Sequence, residues 1–467
     1  MKKTLLLLSV IAILVSSCAS TTKPSDEKLK AKILTMPENK VVAEDNSGRS
    51  DVMLQAFTWE SKNNKTGWWN VIASHGEEIG EYFDYVWFPP VSDSYSPDGY
   101  LPRELYKFSS YYGNEKALRE AIASIAPAKA VADIVANHRV GATSWGDFVN
   151  PSWETVKGEN YKAIAFNDEG FYNDENMKKV DSSMRGARDT GEGFDGGRDL
   201  DLTNPVVQQG IIEYMEKLQE LGFAGWRFDY AKGFDGAYIG YFNQAVESDF
   251  SVGEYWVDNS KQLQTWINRT GESLGEGYPE GKKSMAFDFR LKSILNNVFG
   301  KSKNAVNKNF QLLAFNDSLM KTMPNYAVTF VDNHDTGSTQ GHWPMDPADL
   351  GTAYAFLLTH PGIPCVSYEH YGTETRDGKG ETIVTGTKMT LHDHINYLIS
   401  LRRACGITNT SEVEVEKVDP SVYKGTVHGD NADILLIISD KKEFHKAPKE
   451  YKVAYKGDIW TIYTTLN

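Results

Sequence analysis

The sequence predicts an α/β protein: a (β/α)8, or TIM, barrel with a B domain inserted after strand 3 and a C-terminal antiparallel β-domain. Three observations predict it. Short apolar runs alternate with helix-period segments along most of the 467 residues, the pattern of a parallel sheet. Polar residues collect at the ends of those runs, where a barrel gathers its active site. Beyond about residue 406 the rhythm changes to short β-like runs.

The elements follow in chain order. "MKK" leads into "LLLLSVIAILV" (5–15) and then "SSC". This is a basic region followed by an apolar stretch too short to span a bilayer comfortably. "VSSC" resembles a bacterial lipobox, which implies a signal peptide over 1–17 and a lipid on the thiol of Cys18. The other reading is an ordinary secretory signal; both export the protein. The lipoprotein reading places it on a membrane, with the outer membrane, facing periplasm or cell surface, as the expected site. Residues 18–50 are polar and poorly periodic, as a tether would be.

The barrel is assigned to 51–138 and 202–405. Its strands are read in "VMLQAFTW" (52–59), "DYVWFPP" (from 84), "AVADIVANH" (from 130) and "AGWRFDYA" (from 224). They continue in "SVGEYW" (from 251), "MAFDF" (from 285), "AVTFVDNHD" (from 327) and "PCVSYEH" (from 364). Between them lie helices such as "NPVVQQGIIEYMEKLQELG" (204–222), with Val206, Ile212, Met215 and Leu218 near one face. The aperiodic, Gly- and Asp-rich excursion at 139–201 is assigned to a B domain. The runs "EVEVEKV", "ADILLIIS", "EYKVAYKG" and "WTIYTTL" place the β-domain at 406–467. Cys365 and Cys405 could pair in an exported chain, but they read as small buried apolar residues.

Composition narrows the partners. A net charge of −14 would repel nucleic acid and anionic lipid but not a neutral sugar. An apolar fraction of 40% suits a sizeable core, and 12% aromatic residues provide flat faces on which sugar rings could stack. No Gly-rich phosphate loop is present, which argues against phosphoryl transfer.

The decisive stretch is "GWRFDYAKG" (225–233). Arg227 and Asp229 are two apart in an expected strand and so share a face. Burying charges is costly unless they are paired or used, so the stretch is either a structural ion pair or part of a site. The other strand ends favour a site. The third carries Asp133, Asn137 and His138, the fifth Glu254, and the seventh His334 and Asp335. In a barrel they converge on one mouth.

Glycoside hydrolysis needs two carboxyl groups, one of them able to hold a proton. A neighbouring arginine favours the ionised form of a carboxylate, and Arg227 is placed to do this for Asp229. Glu254 stands before Tyr255 and Trp256, where desolvation would favour its protonated form.

"DIVANH", "GWRFDYAKG", "VGEYW" and "FVDNHDT" resemble, in order, the four signature regions of the α-amylase superfamily, glycoside hydrolase family 13. "QAFTWES", "GYLPRELY", "TFVDNHDTGSTQ" and "LTHPGIPC" resemble its plant-type α-amylases. The resemblance implies Asp229 as nucleophile, Glu254 as general acid/base and Asp335 as transition-state stabiliser. It implies that His138 and His334 bond the reacting sugar, that Tyr100 stacks under it, that Arg227 positions Asp229, and that Lys232 contacts the sugar beyond the cleavage point. The implied reaction is endo-acting, retaining hydrolysis of α-1,4 bonds in starch-like α-glucan, by a chain expected to act as a monomer. The resemblance also implies calcium (Ca2+) held by Asn137, Asp189, Asp199 and the carbonyl of Gly233, with Glu192 adding its carbonyl. Ordinary loop capping is the other reading of those residues.

Departures qualify the match. The plant-type "DTGADF" reads "DTGEGF" here, so Gly193 replaces a carboxylate, and one structural calcium rather than a cluster is expected. "YGTETRDGKGETIVTGTKMTLHD" (371–393) is longer and more polar than in that group and is expected to reshape the cleft. Trp145 and Trp153 could stack on sugars or pack the B domain. Transglycosylation or maltooligosaccharide hydrolysis on the same fold is one alternative. A non-catalytic glucan-binding lipoprotein is another, disfavoured because a binder has no need of three catalytic carboxylates together.

Overall fold

The computed structural model describes residues 45–143, 146–153, 186–187, 191–194, 196–300, 308–314, 316–373, 379–416 and 419–466. Eight parallel strands close into a barrel in which each strand pairs with its chain neighbours and the last returns to the first. They are β1 (Met53–Gln55), β2 (Tyr85–Trp87), β3 (Lys129–Ile134) and β4 (Phe223–Phe228). β5 (Phe250–Gly253), β6 (Met285–Phe287), β7 (Ala327–Phe330) and β8 (Ile363–Ser367) complete it. Strands enclosed on both faces need near-continuous apolar sequence. Accordingly β1, β2, β5, β6, β7 and β8 are buried at every position.

One long helix follows each strand: α1 (Trp68–Tyr82), α2 (Glu115–Ser124), α3 (Pro205–Leu221) and α4 (Gly236–Ala245). Then come α5 (Ser260–Thr270), α6 (Phe289–Phe299), α7 (Leu350–Thr359) and α8 (Leu391–Cys405). α3 shows why the sequence starts and stops where it does. The Asn204 side chain accepts the Val206 N–H, Pro205 occupies the first turn, and Gly222 ends the helix in the left-handed region at φ 109°. Its buried stripe differs from the expected one. Val206 is 47% exposed, and Val207 and Ile211 turn inward beside Met215 and Leu218. Val206 belongs to the first turn, whose outer side faces solvent.

Five antiparallel strands follow: β9 (Val413–Val415), β10 (Tyr423–Val427), β11 (Ile434–Ile438), β12 (Lys452–Lys456) and β13 (Trp460–Thr464), in the order β9-β10-β11-β13-β12. β10, "YKGTV", was not among the expected runs; Lys424 and Gly425 dilute its apolar pattern. β11 is buried throughout, and Ile434, Leu436 and Ile438 join the main core. Cys365 and Cys405 are both buried and share no disulfide. Among the described residues no helix is long and apolar enough to cross a membrane.

Two features position the mouth. A two-stranded hairpin (Asp93–Ser94 with Pro102–Glu104) carries Tyr100 over it. A short ribbon pairs His138–Arg139 with Arg198–Asp199, returning the excursion to the end of β3. Trp153 packs on Phe148 with the Arg139 guanidinium 4.7 Å from its ring centre, so its role is packing. Trp145 lies outside the described residues.

Candidate active site

The site is built where β3, β4 and β5 end together. Asp133 pairs with Arg227 across β3 and β4, and Arg227 with Val252 across β4 and β5. β4 ends at Phe228, so Asp229 stands just past the strand rather than inside it, with its N–H still bonded to Ile134 O at 2.9 Å. The Glu254 N–H bonds Phe228 O at 2.9 Å in the same way. Tyr230 then takes the left-handed conformation at φ 44°, and its N–H meets Glu254 Oε2 at 3.3 Å. These backbone ties bring three carboxylates around one guanidinium.

Arg227 is fully buried. Its Nη1 donates to Asp133 Oδ1 at 2.8 Å and to Asp229 Oδ1 at 2.7 Å. Nη2 lies 2.9 Å from Glu254 Oε1, but neither atom has an aligned hydrogen bond. The Trp87 ring supports the guanidinium from 4.7 Å. One cation cannot balance three buried carboxylates, so a proton stays among them. The carboxyl without an aligned bond to the cation is the natural holder. Burial pushes Glu254 up to about 8; Arg227 opposes the rise, while Asp229, Asp335 and Asp133 reinforce it. Burial takes Asp133 up to about 7 in the same way. Asp335 is also raised by burial, against the pull of Arg227 and His342.

A chain of hydrogen bonds extends from Asp133. Trp87 Nε1 and Tyr100 OH both donate to Asp133 Oδ2 at 3.0 Å. With its hydrogen so used, Tyr100 OH accepts from His334 Nε2 at 3.0 Å. His334 Nδ1 then accepts from Gln55 Nε2 at 2.7 Å. The network therefore assigns the Nε2–H tautomer to His334. Burial first, and Arg227 second, hold His334 well below the usual histidine range. Its Nε2 is 3.5 Å from Asp335 Oδ2. His138 has the same tautomer: Nε2 donates to Tyr100 O at 2.7 Å, and Nδ1 accepts from Asn137 Nδ2 at 3.3 Å.

The structure thus brings Asp229, Glu254, Arg227, Tyr100, His138, His334 and Asp335 to one mouth. Lys232 lies at its edge, paired with Glu192 at 2.8 Å. Of the expected metal ligands, Asn137 and Gly233 come together. The Asn137 nitrogen is turned to His138, which leaves Oδ1 buried without a partner. That oxygen sits 1.8 Å from where a Cβ on Gly233 would stand, so only glycine admits it. Asp199 is buried opposite His138 in the ribbon. Asp189 and Cys18 lie outside the described residues. Among the described residues no three acids, histidines or cysteines form a metal cluster; a set resting on an amide and a carbonyl would not make one.

Sequence reasoning missed Gln55 and Trp87, and it noted Asp133 without giving it a role. A fully buried glutamine inside an apolar strand was the available signal for Gln55.

Residues 55–390 match the family model described as alpha amylase, catalytic domain. The chain belongs to the alpha-amylase family. It is 33% identical over 399 residues to "Probable alpha-amylase 2" of Arabidopsis thaliana, covering 81% of this chain and 86% of that protein. It is 28% identical over 474 residues to "Alpha-amylase 3, chloroplastic" of the same plant, of whose length it spans 46%. The crystal structure of an alpha-amylase from Geobacillus thermoleovorans superposes with a TM-score of 0.61 at 15% identity, covering 89% of this chain and 98% of that one, a likeness of fold. The chain is therefore a plant-type member of the alpha-amylase family and a glycoside hydrolase.

For this alpha-amylase the network makes a spectroscopic prediction. Burial opposes charging His334, so its ring stays neutral as pH falls through the usual range around 6.5 and charges only below it. 15N-histidine NMR, with His334→Gln as the assignment reference, should show an unchanged Nε2–H tautomer as pH is lowered through the usual histidine range. A titration centred near 6.5 would contradict the network.

Proposed function

We propose that the protein is an endo-acting, retaining α-amylase that hydrolyses internal α-1,4 bonds of starch- or glycogen-like glucans. The observation that carries the reading is the single buried guanidinium shared by Asp229, Glu254 and Asp133 at the barrel mouth. It supplies the two unlike carboxyl groups that retention requires.

In this reading Asp229 Oδ attacks the anomeric carbon while Glu254 gives its proton to the departing glycosidic oxygen. The C–O bond breaks and a glycosyl ester on Asp229 forms. Glu254, now a carboxylate, takes a proton from water as that water cleaves the ester, which restores both groups. Asp335, His334 and His138 bond sugar hydroxyls, Tyr100 stacks under the ring, and Lys232 meets the sugar beyond the cleavage point. Arg227 positions Asp229 and spreads its charge over both reacting carboxyls.

The test is reducing-sugar release from soluble starch by protein lacking residues 1–18. Asp229→Asn should lose at least ~10³-fold, the order seen when a covalent nucleophile is removed. In the parent, kcat/KM should fall on the alkaline side as Glu254 gives up its proton near 8. If parent and variant are equally inert on starch and on α-1,4 oligosaccharides with calcium supplied, the reading fails and glucan capture replaces it.

We also propose one structural calcium ion, held by Asn137, Asp189, Asp199 and the Gly233 carbonyl, with Glu192 adding its own. The partnerless Asn137 Oδ1 and the hard oxygen donors around it support the assignment. When bound, the ion would tie the excursion to the end of β3. Calcium should then raise the melting temperature, and a chelator should reverse it. Asn137→Ala should abolish that response; an undiminished response in the variant would exclude this site.

Finally, we propose that Cys18 carries the lipid that holds the enzyme on the outer membrane, a reading supported by "VSSC" after the apolar stretch. A labelled fatty acid should enter the full-length chain and not Cys18→Ser. Equal labelling of both would remove the anchor from Cys18.

A further inference from the structure

Behind the mouth, between β7 and β8, lies a second group of buried charges outside the reacting set. Lys292 on α6 places Nζ 2.6 Å from Asp332 Oδ1, with both side chains out of solvent. Thr336 Oγ1 donates to the same oxygen at 3.0 Å, and the Met345 N–H donates to Oδ2 at 3.0 Å. Asn333 Oδ1 accepts the N–H groups of Asp335 and Thr336 at 3.0 and 2.9 Å. The turn that carries Asp335 is thus fixed from below.

The next residues are fixed from the side. Ser338 is a non-glycine residue held in the left-handed region at φ 54°. Its N–H donates to Glu369 Oε2, and its Oγ accepts the Trp59 N–H at 3.2 Å. The Thr339 hydroxyl donates to Glu60 Oε1 at 2.5 Å. The Trp59 ring lies nearly parallel to His334, 14° apart in plane and 6.3 Å between centres. Glu369 belongs to the turn Tyr368–Tyr371 directly after β8 and is only 3% exposed. Its Oε1 pairs with Lys379 Nζ, from the polar stretch after β8. A Cβ on Gly337 would stand 2.8 Å from Glu369 Oε2, so the carboxylate packs directly against the loop backbone.

We infer that Glu369, paired with Lys379, is a positioning residue for Asp335: it holds the loop at Ser338 and so sets Asp335 against the substrate. The inference rests on the amylase reading and adds a residue to it. Loss of the tie should misplace Asp335 while leaving the other sugar contacts in place. It should therefore lower kcat more than it raises KM.

The test is a double-mutant cycle on an α-maltooligosyl fluoride, whose leaving group is good enough for slow variants to be measured. Glu369→Ala should lose on the order of 10- to 100-fold in kcat with KM changed by less than about 3-fold. In an Asp335→Asn background the same change should cost less than about 3-fold, because its effect runs through Asp335. Glu369→Gln, which keeps an acceptor for the Ser338 N–H, should recover most of the rate. Should the alanine variant not fold, Glu369→Leu, which fills the space without an acceptor, takes its place in the cycle. Equal losses in both backgrounds, or a lowered melting temperature with kcat unchanged, would overturn the inference. A parent inactive on both the fluoride and starch would instead overturn the amylase reading.

Discussion

The guanidinium of Arg227 is fully buried with three carboxylates around it, and the barrel mouth is organised around keeping it there. Such a charge is tolerated only when its neighbours repay the lost hydration. Asp133 is the permanent partner, and it is itself held by Trp87 and Tyr100. Tyr100 depends on His334, and His334 on Gln55. The bonds run in series, so a change at the C-terminal end of β1 reaches the carboxylates just past β4 and β5 through shared hydrogens.

The two buried charge groups differ in balance. Around Asp332 one lysine meets one aspartate, and both carboxylate oxygens are occupied by donors. That group is closed and serves as framework. Around Arg227 there are more acids than cations, and Glu254 lies close to Nη2 without an aligned bond. The surplus makes a proton available there. Framework and chemistry are thus separated by charge count, at different strand ends of one barrel.

The barrel was legible because strands enclosed by helices are apolar along their whole length, and the reacting residues stood out as charges breaking those runs. Asp229, Glu254, His334 and Asp335 could be found that way. Asp133 could not be given a role, because Trp87, Tyr100 and Arg227 reach it from 46, 33 and 94 residues away. The helical stripe on α3 was misjudged at Val206 because the first turn of a helix need not face the core. β10 was lost to a lysine and a glycine within five residues. Glu369 gave no local sign, since a glutamate after a strand reads as an ordinary turn residue until Ser338 and Lys379 are seen against it.

Asn137 serves two neighbours with the two ends of one amide. Its nitrogen donates toward His138 Nδ1, and its oxygen faces Gly233. An aspartate there would be nearly the same shape but would offer acceptors at both ends. His138 has already committed its Nε2 hydrogen to the Tyr100 carbonyl. It could keep the contact only by taking up a second proton and becoming a cation. Burial opposes that charge. The neutrality of an imidazole at the mouth is therefore set one residue away, by the choice of NH2 over O on a side chain that never faces it with its oxygen.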